Sequence, residues 1–157
     1  TELETETEMV TETEVEPVVT TVTISATGDC ALGPVQTHSY TGSFNDYYDS
    51  HGEEYFFQNF KEIFEADDLT LINLECVLTN ETNRVEKTFN IKGKPEYTGI
   101  MTSSSIEAVS LGNNHSADYG PQSLVDTKAA LDAAGIKYAI NDIRLFFNND
   151  TRFLKQF

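Results

Sequence analysis

The chain has 157 residues with 26 acidic against 10 basic side chains, a formal charge of −16. At about 150 residues per domain this is one domain with room for one core, and a 39% hydrophobic share with ten Phe and seven Tyr excludes wholesale disorder. A body this acidic has no electrostatic footprint for nucleic acid or anionic lipid, and no apolar run approaches the ~18 residues of a membrane span.

The charge is uneven. Residues 1–16 (TELETETEMVTETEVE) hold seven Glu and no Lys or Arg. Like charges repel there and nothing apolar offsets the entropy of ordering, so residues 1–17 read as a disordered Glu/Thr-rich spacer. The first residue is Thr and no basic or apolar leader precedes the repeat. The expectation is a leader or membrane anchor lost upstream, with the spacer as a stalk and the domain outside the cytoplasm or at the cell surface.

Val18, Val19, Val22 and Ile24, set among threonines, predict a strand running to Gly28-Asp29. Residues 31–52, rich in Gly, Ser, Asp and Tyr, read as a long loop. Phe56, Phe57, Phe60, Ile63 and Phe64 predict a helix over 53–66. The run Leu69–Leu74 is of buried-strand type and ends at Glu75. Phe89 and Ile91 suggest a short strand before Gly93, and Pro95 suits the start of a short helix through Met101. Ile106–Leu111 is another buried strand, stopping at Gly112. Pro121 opens a helix through Ala134 with apolar positions Leu124, Val125, Ala129 and Leu131, and Gly135 is suited to ending it. Ile136–Ile140 is the last strand. Strands alternating with helices argue for an α/β fold with a largely parallel sheet.

Three polar clusters follow three of these strands: Gly28-Asp29, Asn73-Leu74-Glu75, and Gly112-Asn113-Asn114-His115 with Asp118. Ligands of open α/β sheets gather beyond the carboxyl ends of the strands, and oxygen and imidazole donors suit a hard or borderline divalent cation. Each cluster has a bland reading as a turn, a solvated carboxylate or a loop; all three in order favour a site. His38 and His51 fall in the long loop and read as surface histidines. Cys30 and Cys76 each follow a candidate ligand. On neighbouring strands they would be within disulfide reach, ~5.5 Å between Cα atoms; the alternative is two small buried thiols. Alternation along a strand places both behind the ligands in either case.

The segments TISATGDCALG, LTLINLECVLT, KTFNIKGKPEY and IEAVSLGNNHSADYGPQSLVDTKAALDAAGIKYA resemble the amino-terminal half of the CapA family, bacterial capsule (poly-γ-glutamate) synthesis proteins with a metallophosphoesterase-like fold. The resemblance runs from about Val22 to Ala139 and is most specific over residues 113–127. It implies a partial calcineurin-like α/β sandwich, truncated after the first βαβ units, with residues 18–140 as the family domain and 141–157 as a divergent tail. It also implies Asp29, Glu75 and Asn114 as ligands of a divalent metal of the Mn, Zn or Fe type. His115 would stabilise or protonate a reacting phosphate oxygen, and Asp118 would orient it. Asn113 would support the loop. The implied partners are the capsule polymer or its synthesis and export machinery, with no nucleic acid. No His follows His115, so the later imidazoles of a dinuclear site are missing from this chain. Three readings stay open: a hydrolytic capsule protein, a non-enzymatic scaffold of the same machinery, and a non-functional fragment.

Overall fold

The computed structural model describes residues 19–35 and 40–140. The expected spacer, the expected tail and His38 lie outside the described residues. In chain order the elements are β1 (Ile24–Cys30), α1 (Phe44–His51), α2 (Lys61–Phe64), β2 (Leu69–Leu74), β3 (Val77–Leu78), β4 (Lys92–Gly93), α3 (Thr98–Thr102), β5 (Ala108–Ser110), α4 (Pro121–Ala134) and β6 (Lys137–Ala139). Four strands form one sheet in the order β1-β2-β5-β6, and every pairing in it is parallel. Strands β3 and β4 make a separate parallel pair. This is the α/β architecture with a parallel sheet that the alternating pattern predicts.

Alternation sorts β2 into two faces. Ile72 and Leu74 are fully buried in the core with Val109 and Leu111, against Ile100 and Met101 of α3 and Leu131 of α4. Leu71 and Asn73 face the other way and are half-buried. On β1 the outward residues Ile24 and Ala26 are exposed. Among the described residues the larger core thus lies on one side of the sheet, and apolar burial at about 25 cal/mol per Å² holds α3 and α4 to that side.

Three expectations need correction. The region 31–52 is not all loop, because α1 forms over Phe44–His51. Ser43 caps it, its Oγ accepting from the Asp46 N–H at 3.3 Å, and Asp46 reaches back to the Gly42 N–H at 2.8 Å. That reciprocal capping is legible as Ser-x-x-Asp. The region 53–66 is not one helix but a 3-10 turn (Glu53–Tyr55), turns, and α2. A continuous helix would align Phe56, Phe60 and Ile63 on one stripe. Instead Phe56 stacks on Phe44 at 4.3 Å between ring centroids, while Phe60 and Ile63 stay exposed. Phe89 is exposed as well, and the short strand is β4, with Ile91 making an isolated antiparallel bridge to Val35. Gly93 is required in β4, since a Cβ there would run into the Leu32 carbonyl oxygen.

Helix α4 runs from Pro121 at its first turn to Gly135, whose φ of 75° provides the left-handed residue that ends it. Its buried positions are Ser123, Thr127 and Leu131, whereas Val125 is exposed. The polar residues face inward because β3 is two residues long and leaves a backbone donor to satisfy. The Thr127 hydroxyl accepts from the Leu78 N–H at 2.8 Å and donates to the Ser123 carbonyl at 2.7 Å.

Both cysteines are free thiols. Cys76 is fully buried in the core cluster, with Cys30 packed against it, behind the strand-end acids. Burial pushes the Cys76 thiol up to about 12 and also raises Cys30.

Thr127→Val keeps the shape of the side chain but strips the buried Leu78 N–H of its acceptor, at an expected cost of about 1–3 kcal/mol. Val125→Ala, at an exposed position, should stay within about 0.5 kcal/mol. Urea unfolding of both variants checks the contrast. Full burial and the raised thiol keep Cys76 unreactive in the folded chain. A thiol-reactive dye should therefore label Cys30 first and reach Cys76 only as the chain unfolds.

Candidate functional site

The strand ends build the site. Register pairs Asp29 of β1 with Asn73 of β2, Asn73 with Ser110 of β5, and Ser110 with Ala139 of β6, one row across the carboxyl edge of the sheet. Asp29 lies within β1 and not after it. The register shifts between Ala26 and Asp29, so β1 carries one residue more than β2 over this stretch. That bulge, at Thr27-Gly28, puts Asp29 opposite Asn73 and on its face, as bulges commonly re-aim a side chain. Beyond the strand, the Glu75 N–H donates to the Cys30 carbonyl at 3.0 Å. The pairing thereby continues one step, and Glu75 joins Asn73 on the face opposite Leu74.

A relay of amides fixes the edge. Asn73 Nδ2 donates to Asp29 Oδ1 at 2.7 Å, and Asn113 Nδ2 donates to Asn73 Oδ1 at 3.0 Å and to the Leu74 carbonyl at 2.9 Å. Asn113 Oδ1 accepts from the His115 N–H at 2.9 Å, and Ser116 Oγ donates to the Leu111 carbonyl and, at 2.7 Å, to that of Asn113. Asn113 therefore ties the loop to the end of β2, in the supporting position expected of it.

Behind this edge, His115 and Asp118 are buried. His115 Nδ1 lies 2.7 Å from Asp118 Oδ2, and its Nε2 lies 3.9 Å from Glu75 Oε1. Asp118 also accepts from the Ile91 N–H at 2.6 Å and from Lys87 Nζ at 2.7 Å. Lys87 Nζ reaches the Asn114 carbonyl at 3.0 Å and stands 3.3 Å from His115 Nδ1. Lys87 was missed in the sequence because nothing local marks it. The available signal was the gathering of Arg84, Lys87, Lys92 and Lys94 in a chain with only 10 basic residues. Asn73 stood inside the Asn-Leu-Glu motif, and its parity with Glu75 was the clue to its place.

The front of the site is an open cleft of about 820 Å³ lined by Asp29, Asn73, Glu75, Gly112, Asn113 and Asn114 among others. His115 stands 3.9 Å from Glu75 and is held by Asp118, and neither lines the cleft itself. The structure thus brings Asp29, Glu75, Asn114, His115 and Asp118 to one end of the sheet. His51 is elsewhere, exposed beside the rings of Tyr47 and Tyr55.

The two cleft carboxylates feel each other. The Asn73 amide, followed by a hydrogen bond with Glu75, holds Asp29 below the usual carboxylate range. The same hydrogen bond, burial and the Asp29 charge push Glu75 up, partly offset by His115 and Lys87. Two neighbouring carboxylates shift apart in this way. Among the described residues, no group of three or more His, Cys, Asp or Glu side chains is placed to hold a metal ion. Asp29 and Glu75 are oxygen donors of the kind a hard cation takes.

Over residues 23–139 the chain matches the family described as bacterial capsule synthesis protein PGA_cap. It belongs to that family. It is 28% identical over 100 residues to the PGA biosynthesis protein CapA of Bacillus subtilis (strain 168), covering 59% of this chain and 26% of the relative. It is 37% identical over 73 residues to probable polyglutamine synthesis accessory proteins of two Mycobacterium tuberculosis strains, covering 46% of this chain and 19% of each relative. The aligned part is thus about a quarter or less of the length of these curated relatives. The PGA_cap match takes in every residue of the cleft except Ile140. No described helix is long and apolar enough to cross a membrane.

Asp118→Ala should cost about 3–5 kcal/mol, because it leaves buried donors facing nothing. Lys87→Met, which removes one of several partners, should cost about 1–3 kcal/mol. Chemical denaturation measures both, and an Asp118→Ala cost under about 1 kcal/mol would refute the anchoring role.

Proposed function

We propose that this cleft holds one divalent cation and offers it a phosphoester, within the synthesis or export of an anionic capsule polymer. The observation that carries this reading is the placement of Asp29 and Glu75 together in the strand-end cleft, with the His115 ring 3.9 Å from Glu75. Asp29 and Glu75 would hold a cation of the Mn, Zn or Fe type, with the Asn114 amide oxygen as a further donor. Such a cation, when bound, neutralises phosphoryl charge and polarises the attacking oxygen.

The chain's own residues supply the rest. Asp118 commits His115 Nδ1, so Nε2 is the atom left to stabilise or protonate a phosphate oxygen. Asn73 and Asn113 hold the carboxylate edge still without adding charge. The polymer or its export machinery is the partner in this reading, and the domain works outside the cytoplasm. The sparse donor set supports a second reading, in which the cleft binds its ligand as a scaffold without turning it over.

Calorimetry with manganese should show about one ion per chain. Asp29→Asn or Glu75→Gln should weaken binding by roughly 10–100-fold. Hydrolysis of an aryl phosphate should be slow. Activity lost in His115→Ala with manganese binding intact supports catalysis, and binding without turnover supports the scaffold. Manganese binding indifferent to both carboxylate variants would overturn the site.

A further inference from the structure

Asn114 and His115 are neighbours in sequence with different surroundings. Asn114 lines the open cleft, whereas His115 is buried with its Nε2 3.9 Å from Glu75. The loop that carries them, residues 112–118, contains turns but no helix or strand. No ladder of backbone hydrogen bonds therefore sets the directions of the two side chains. Those directions depend on ψ of Asn114 and φ of His115, the torsions on either side of the peptide group that joins them. That group is flat and rigid, so holding it in place fixes both torsions.

The peptide is held at both ends. Its N–H, on His115, donates to Asn113 Oδ1 at 2.9 Å, and Asn113 is itself tied to Asn73 and to the Leu74 carbonyl. Its carbonyl, on Asn114, accepts from Lys87 Nζ at 3.0 Å and, among the described residues, from no backbone N–H. The same ammonium donates to Asp118 Oδ1 at 2.7 Å, while the other oxygen of that buried carboxylate meets His115 Nδ1. Lys87 thus joins the middle of the loop to its end from 27 residues earlier in the chain. A charged donor makes this the stronger kind of hydrogen bond.

We propose that Lys87 is a positioning residue for the cleft, its ammonium pinning the Asn114–His115 peptide and so aiming the Asn114 amide at the cation and the His115 ring at Glu75. The role of Asn114 as a donor rests on the cation reading above; the pin rests on the loop alone. Among the described residues Lys87 makes no ion pair with Asp29 or Glu75, so it acts through the loop. Charge and position pull in opposite directions here. As a charge, an ammonium behind the site repels a bound cation, and its removal would tighten cation binding. As a pin, its removal lets the Asn114 donor drift and weakens binding.

The test compares Lys87→Met, Lys87→Arg and Thr127→Val in the full chain. Thr127, whose hydroxyl bonds Leu78 and Ser123, controls for destabilisation alone. Without metal, amide hydrogen exchange at His115 should be about tenfold faster in Lys87→Met than in Thr127→Val, the equivalent of one charge-assisted hydrogen bond. Lys87→Arg should keep the original rate. In calorimetry at fixed ionic strength, manganese affinity should fall about tenfold in Lys87→Met. It should be largely restored in Lys87→Arg and unchanged in Thr127→Val. Lys87→Gln, neutral and one bond shorter, should show both changes if Lys87→Met does not fold. Unchanged or tighter manganese binding in Lys87→Met, or equal weakening in Thr127→Val, overturns the positioning role. An unchanged His115 exchange rate overturns the pin whatever the manganese result. If the unsubstituted chain binds no manganese, the cation reading fails, and faster His115 exchange in Lys87→Met still upholds the pin.

Discussion

The carboxylate of Asp118 is the contact on which the site depends. It is 1% exposed, and a buried carboxylate without donors costs several kcal/mol. Its oxygens are met by His115, the Ile91 N–H and Lys87, and its backbone carbonyl accepts from the Val85 and Asn90 donors. Those partners come from its own loop and from residues 85–91, which include no extended strand. Satisfying one buried charge therefore places that whole segment. With it come the pairing of β4 to β3, the aim of His115 Nε2 toward Glu75, and the position of Lys92 and Lys94.

At the sheet edge, Asn73 and Asn113 immobilise Asp29 and the loop through neutral hydrogen bonds, which give rigidity and leave the negative charge in place. Lys87 ion-pairs with Asp118 behind the edge and makes no ion pair with Asp29 or Glu75. The cleft therefore keeps its negative charge.

Much of the organisation was legible along the chain. Leu69–Leu74 and Ile106–Leu111 read as buried strands because continuous apolar runs between polar stops suit a parallel sheet covered by helices. Pro121 and Gly135 bounded α4 because each has a backbone preference of its own. Asp29, Glu75 and the Asn113–Asp118 cluster were visible because strand-end polar residues in an α/β pattern share one edge. The helix at Phe44 was legible too, through Ser43 and Asp46, in a stretch whose composition suggested only loop.

What the sequence by itself determined is the content of each element and the edge at which its polar end lies, because both follow from local backbone preference and alternation. The tertiary structure alone decided the rest. The bulge before Asp29 depends on pairing with β2, residues 53–66 break where the Phe56 ring stacks on Phe44, and Thr127 turns inward to answer a donor in β3. Lys87 meets Asp118 across 31 residues of sequence. Each of these is settled by a partner distant in the chain, and a partner's position is information that local periodicity does not carry.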